Sequence, residues 1–146
     1  MRVAIFSIKN YERTLLDELN TGYRQKIVYF DTLLGPRTAS LAAGFPAVSV
    51  FVNDVVDGDV LKRLATGGTQ LVATRSTGFN HIDVGAAKEL GVKVVRVANY
   101  SPNSVAEFAV GLAFFTREAL GTILDTTLAS IADFAAGRPL ANEIRM

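Results

Sequence analysis

The chain contains the stretch Gln70-Leu71-Val72-Ala73-Thr74, followed at once by the small and polar run Arg75-Ser76-Thr77-Gly78. A short apolar run of this kind indicates a β-strand covered on both faces, which is typical of a parallel sheet between two layers of helices. Four other runs rich in Val, Ile and Phe predict strands of the same type: Arg2–Phe6, Lys26–Phe30, Ala47–Val52 and Lys93–Val97.

Helical patterns fill the segments between these strands. Asn10 is expected to cap the first helix, Asp59 precedes the apolar positions of the second, and Asp83 those of the third. A side-chain oxygen at such a position can accept hydrogen bonds from the free amides of a helix start. Gly67-Gly68 and Gly91 follow the last helical residues, where glycine readily adopts a left-handed conformation.

The alternation of strands and helices predicts an α/β fold in a single domain, residues 1–146. We expect a flavodoxin-like, doubly wound sheet of five parallel strands in the order 2-1-3-4-5, with helices on both faces. Right-handed crossovers then bring the loops that follow the strands to one edge of the sheet. Only helix is predicted for Ser101–Gly137, as either one kinked helix or two.

Composition excludes several classes of protein. The chain has 146 residues, a formal net charge of +1, 49% hydrophobic residues and no cysteine. This balance argues against disorder, a nucleic-acid partner, a disulfide framework and a thiolate metal site. Because the sequence has neither a signal peptide nor an apolar run long enough for a bilayer, we expect a soluble, cytoplasmic protein with no membrane partner.

The motifs of common catalytic and cofactor sites are missing from the sequence. It contains no G-x-G-x-x-G fingerprint, no P-loop, no G-x-S-x-G elbow and no cluster of residues with metal-ligand spacing. We therefore predict no catalytic, cofactor-binding or metal-binding residue. His81 is the single histidine; we interpret it as a polar loop residue, with proton transfer as the alternative.

The loop Arg75–Asn80 has the most informative composition. It follows a buried parallel strand, at the edge of the sheet where ligands bind in open α/β folds. Small residues and a glycine can turn consecutive backbone amides toward one point and so bind an anion such as a carboxylate or phosphate. A tight turn between strand and helix explains the same residues, and spacing alone does not separate the two interpretations.

Several motifs in order resemble those of D-2-hydroxyacid dehydrogenases of the D-lactate type. They include Phe51-Val52-Asn53-Asp54, the run Thr77–Asp83 and Tyr100-Ser101-Pro102-Asn103-Ser104-Val105-Ala106-Glu107. Residues 1–112 resemble the N-terminal part of that family. Residues 113–146 resemble its extreme C-terminus, where a terminal helix packs back on the N-terminal domain. In full-length members an NAD-binding Rossmann domain lies between these two parts, which here meet near Gly111–Phe114.

The resemblance implies a role for five residues. The backbone amides of Thr77 and Gly78 would bind the substrate carboxylate, Asn53 and Tyr100 would line the pocket, and Phe114 would cover the substrate side chain. The resemblance also implies that the family's catalytic arginine, glutamate and histidine lie in the missing part or at its border, and that NAD binds the missing part.

The resemblance therefore implies a substrate-binding domain without dehydrogenase activity, which binds a 2-oxo or 2-hydroxy carboxylate weakly. Surface exposed by the missing domain, at Val105–Leu112 and Phe114-Phe115, would favour a homodimer, or the terminal helix would fold over this surface and leave a monomer. A stand-alone module that binds small anions and a self-associating interaction module are the alternatives.

Overall fold

The computed structural model describes residues 1–98 and 117–144. The strands within these ranges are β1 (Arg2–Phe6), β2 (Lys26–Phe30), β3 (Ala47–Val50), β4 (Leu71–Thr74) and β5 (Lys93–Val95). The helices are α1 (Asn10–Tyr23), α2 (Gly58–Thr66), α3 (Val84–Glu89) and α4 (Arg117–Ala135), with one turn of 3₁₀ helix at Ala39–Ala42.

The five strands form one parallel sheet in the order β2-β1-β3-β4-β5. This confirms the predicted fold class and strand order. Strands β3, β4 and β5 are shorter than predicted. The physical reason is visible at the end of β3. The Asp54 carboxylate accepts a hydrogen bond from the Phe51 amide at 2.6 Å, and the Asp54 amide donates to the Phe51 carbonyl at 3.0 Å. This tight turn ends β3 at Val50, two residues before the predicted end.

Alternate strand residues face two separate hydrophobic clusters, one on each side of the sheet. Ala4 and Phe6 belong to the cluster covered by α2, α3 and the 3₁₀ turn. Val3 and Ile5 belong to the cluster covered by α1 and α4. The sheet therefore lies between two helical layers, as its apolar strands predict.

Two of the three predicted helix starts are wrong by one or two residues. Asn10 is the first residue of α1, and Lys9 occupies the capping position. The cap of α2 is Asp57, whose carboxylate accepts from the Val60 amide at 2.9 Å, whereas Asp59 lies inside the helix. Both aspartates precede the apolar positions, but only Asp57 has the three-residue spacing to a free amide that capping requires. Asp83 caps α3 as predicted.

The C-terminal helix packs back on the domain, which confirms that expectation. Helix α4 contacts α1 and β4, and buries Leu124, Leu128 and Ile131 in the second cluster. After α4, the Ile144 amide donates to the Val94 carbonyl at 2.9 Å, beside an antiparallel bridge between Val95 and Glu143.

The prediction of one kinked helix or two for Ser101–Gly137 depends on residues 101–116, which lie outside the described ranges. None of the helices in the two described segments is long and apolar enough to cross a bilayer.

Candidate functional site

A cavity of about 440 Å³ opens at the carboxyl ends of the central strands. It lies where the strand order changes direction between β1 and β3, the usual ligand position in open α/β sheets. Its walls come from Tyr11 and Glu12 of α1, Phe51 and Val52 after β3, the run Arg75–Gly78 after β4, and Leu120 and Ile123 of α4.

The loop after β4 is held through its carbonyl groups. The Ser76 carbonyl accepts from the Val97 amide at 3.1 Å, and the Thr77 carbonyl accepts from Arg96 Nη1 at 3.2 Å. The Ser76 hydroxyl donates to the Gly78 carbonyl at 2.7 Å. In a trans peptide the C=O and N–H groups point in opposite directions. A carbonyl that accepts a hydrogen bond on one side therefore directs the N–H of the following residue to the opposite side. Among the residues that the structure describes, no acceptor pairs with the Thr77 or Gly78 amide.

The Thr77 hydroxyl is a third donor at this position. Its Oγ1 is buried and has no hydrogen-bond partner within residues 1–98 and 117–144. Leaving a buried polar atom unpaired costs about 1–3 kcal/mol, so such atoms are rare, and a functional role is one of their explanations. Thr77, a residue of the cavity wall, thus has a hydroxyl and a backbone amide for which the described residues supply no partner.

The wall of the cavity includes a buried arginine at the start of the Arg75–Asn80 loop, and no local sequence pattern indicates its role. Arg75 is 1% exposed, and its Nε donates to Glu12 Oε1 at 3.4 Å. Its two Nη atoms donate to Ser49 Oγ at 3.1 Å and to the Phe6 carbonyl at 3.0 Å. Burial lowers the pKa of the Arg75 guanidinium, and the negative charges of Glu12 and Asp54 oppose this effect. Arg75 therefore ties the carboxyl ends of β1, β3 and β4 to α1.

Asp54 organises the adjacent turns. Its carboxylate is 1% exposed and accepts from Ser7 Oγ at 2.5 Å, from the Leu34 amide at 2.8 Å and from the Phe51 amide. Three loops that follow β1, β2 and β3 are thus fixed by one side chain. Local sequence gives no sign of this role, because the partners are distant along the chain.

The structure brings two of the five predicted site residues together. Thr77 and Gly78 are neighbours in the cavity wall. Asn53 is exposed and lines a different depression of about 300 Å³, beside the loop after β2. Tyr100 and Phe114 lie outside the described residues, as do the segments 105–112 and 114–115 predicted to favour a homodimer. Their roles, and that of Asn53, stay predictions.

His81 lies outside the cavity, on the loop that leads into α3. Its Nε2 is 3.3 Å from Thr74 Oγ1, and the ring is about half-buried. Burial lowers the pKa of His81, while the nearby charge of Asp54 raises it to a smaller extent. This position agrees with its interpretation as a polar loop residue. In the described part of the chain, no three acidic or histidine side chains stand close enough to hold a metal ion.

Residues 3–145 match the family model of the D-isomer specific 2-hydroxyacid dehydrogenase catalytic domain. The chain belongs to this family. It is 48% identical over 112 residues to 2-hydroxyacid dehydrogenase homolog 1 of Schizosaccharomyces pombe, a match that covers 77% of this chain and 34% of the relative. The chain thus spans about a third of the length of that curated relative.

Solved structures agree with this membership. The apo structure of Escherichia coli D-lactate dehydrogenase has a TM-score of 0.73 and 43% identity, over 78% of this chain and 37% of that one. The pyruvate reductase of Chlamydomonas reinhardtii has a TM-score of 0.69 and 34% identity, over 100% of this chain but only 41% of that one. The resemblance to D-lactate dehydrogenases is therefore confirmed for this dehydrogenase domain.

Solved members of the family include NAD complexes, but the described residues of this domain do not fit a dinucleotide. The turn between β1 and α1 has no glycine, and the Glu12 carboxylate accepts from the Lys9 amide at 3.0 Å. A buried negative charge thus occupies the helix start where a pyrophosphate would need free amides.

Proposed function

We propose that this chain is the substrate-binding domain of an NAD-dependent D-2-hydroxyacid dehydrogenase, with the nucleotide-binding domain absent near Gly111–Phe114. The match to Chlamydomonas pyruvate reductase supports this, because it covers all of this chain but less than half of that one. The absent G-x-G-x-x-G fingerprint agrees with it. In this proposal residues 1–112 and 113–146 form one domain from two separate parts of a full-length enzyme.

The ligand that we propose is the carboxylate of a small 2-oxo or 2-hydroxy acid, bound at Thr77 and Gly78. The observation that carries this proposal is that the Thr77 hydroxyl and the Thr77 and Gly78 amides, on two residues of one cavity wall, have no hydrogen-bond partner among the residues that the structure describes. Hydrogen bonds to a charged group contribute about 1.5–3 kcal/mol each, and association removes several kcal/mol. We therefore expect millimolar affinity, which corresponds to about −4.1 kcal/mol.

We further propose that the chain alone does not catalyse the dehydrogenase reaction. Hydride transfer needs a bound nicotinamide, a group that polarises the keto oxygen and a proton donor. Arg75 is enclosed by its own partners, and His81 lies outside the cavity. Neither residue has the position of an electrophilic clamp or a proton donor toward a ligand at Thr77.

An NMR titration of the backbone amides with pyruvate and with oxamate tests the binding proposal. Oxamate is a non-reactive analogue with the same carboxylate. We expect the largest shifts at Thr77 and Gly78, with dissociation constants in the millimolar range, and no pyruvate-dependent oxidation of NADH in a parallel assay. A well-dispersed spectrum that neither ligand changes would contradict the binding proposal, and turnover of NADH would contradict the inactivity.

A substitution of Thr77 by valine tests the unpaired hydroxyl. Valine has nearly the same shape but no buried polar atom, so the ligand-free domain should become more stable by about 1 kcal/mol, or about 2–4 °C in Tm. The affinity for oxamate should fall about tenfold or more, because one donor to the charged ligand is lost. Thr77→Ser keeps the hydroxyl and serves as the control. A Thr77→Val domain that is less stable and binds oxamate as before would refute this role.

A further inference from the structure

The peptide group between Thr77 and Gly78 is bonded on the side away from the cavity. Its carbonyl oxygen accepts from Arg96 Nη1 at 3.2 Å, while its N–H belongs to Gly78, which lines the cavity. Arg96 is not among the described residues of the cavity wall. Since the two ends of a trans peptide point in opposite directions, the contact with Arg96 determines where the Gly78 amide points.

The bond from Arg96 also changes the strength of the Gly78 donor. A hydrogen bond from a guanidinium is charge-assisted, and it withdraws electron density from the peptide that accepts it. Such polarisation strengthens the hydrogen bond that the same peptide donates at its other end. The neighbouring peptide, between Ser76 and Thr77, is bonded by the uncharged amide of Val97 instead.

Two further contacts hold Arg96 in place. Its guanidinium carbon lies 5.4 Å from the centroid of the Phe79 ring, and its side chain is only partly exposed. Its backbone amide donates to the Asn142 carbonyl at 3.1 Å, which anchors the loop after β5 to the C-terminal segment. An arginine fixed in this way loses little further freedom when a ligand binds.

We propose that Arg96 is a positioning residue of the carboxylate site, which orients and polarises the Thr77–Gly78 peptide so that the Gly78 amide binds the ligand. The inference rests on the proposed function, because it concerns how the same anion is bound. Arg96 acts through the peptide and does not touch the ligand, so it is not a catalytic residue.

Titrations of two Arg96 variants with oxamate test this inference. Arg96→Met keeps most of the side chain but removes the charge and the donor, and we expect the dissociation constant to rise about tenfold. Arg96→Lys keeps a charged donor and should recover part of the affinity. The amide proton of Gly78 should move to lower frequency in ligand-free Arg96→Met, and more than that of Thr77, because only the Thr77–Gly78 peptide loses its charged partner.

Arg63 offers a matched control. Its Nη1 donates to the Pro36 carbonyl, also at 3.2 Å, on a loop that does not line this cavity. Arg63→Met should therefore leave oxamate binding and the Gly78 resonance unchanged. Equal affinity of Arg96→Met and the unmodified chain would overturn the role of Arg96 and leave the proposed function intact. An unmodified chain that does not bind oxamate would instead overturn the proposed function and, with it, this inference.

Discussion

Replacing Arg75 by methionine should lower the free energy of unfolding by about 3–5 kcal/mol. The guanidinium is almost completely buried and is the only cation within hydrogen-bond reach of Glu12 among the described residues. Removing it leaves the Glu12 carboxylate, 4% exposed, without a compensating charge, and leaves the Phe6 carbonyl and Ser49 hydroxyl without this donor. Urea unfolding followed by circular dichroism measures the loss.

Two further variants test whether the loss of stability comes from the burial of the ion pair or from the ion pair alone. Arg138 also pairs with a carboxylate, Asp133, at 2.7 Å, but its side chain is 58% exposed. Arg138→Met should change the stability by less than about 1 kcal/mol, because exposed pairs contribute little. Arg75→Met combined with Glu12→Gln should recover part of the loss, since no unpaired charge remains buried. Equal effects of Arg75→Met and Arg138→Met would contradict the buried network.

Replacing Leu128 by alanine should lower the free energy of unfolding by about 2–5 kcal/mol. Leu128 is 0% exposed and lies in the second cluster, between α4, α1 and the sheet. Alanine would leave a cavity at the contact that holds the C-terminal helix to the domain. Denaturant unfolding at constant pH measures the change, and an unchanged m-value would show that the denatured state is the same.

Leu33→Ala provides the comparison for this substitution. Leu33 is 53% exposed, so the same chemical change should cost less than about 0.5 kcal/mol there. If Leu128→Ala lowered the free energy of unfolding as little as Leu33→Ala, this result would contradict the packing of α4 against the sheet.

The strands could be predicted from the sequence because a strand that is buried on both faces has apolar residues at nearly every position. Ala47–Val50 and Leu71–Thr74 are buried at every position, so each appears as an unbroken run of mostly apolar residues. The helix starts were harder to place. Asp57 and Asp59 are both suitable caps by residue type, and only the geometry of the turn after β3 decides which of them meets a free amide.

The candidate site could be predicted only in part, for a related reason. Thr77 and Gly78 carry a local signal, since small residues after a buried strand indicate a ligand loop. Arg75 and Arg96 carry none, because an arginine beside a strand is normally a solvated side chain. Their partners come from β1, β3, α1 and the loop after β4, and those contacts exist only after the sheet has formed. Asn53 was chosen by resemblance, and the structure places it beside a different depression.

All five strands of the sheet come from residues 1–98, whereas α4, which helps to cover the second cluster, comes from residues 117–135. The docking of α4 on the sheet is therefore an association between two parts of one chain, and its strength depends on their effective concentration. Inserting a long segment between the two parts would lower it only slowly, since each doubling of a loop costs about 0.6 kcal/mol. We therefore expect a sheet that is covered in this way to tolerate a long insertion before α4 with little change in its own packing.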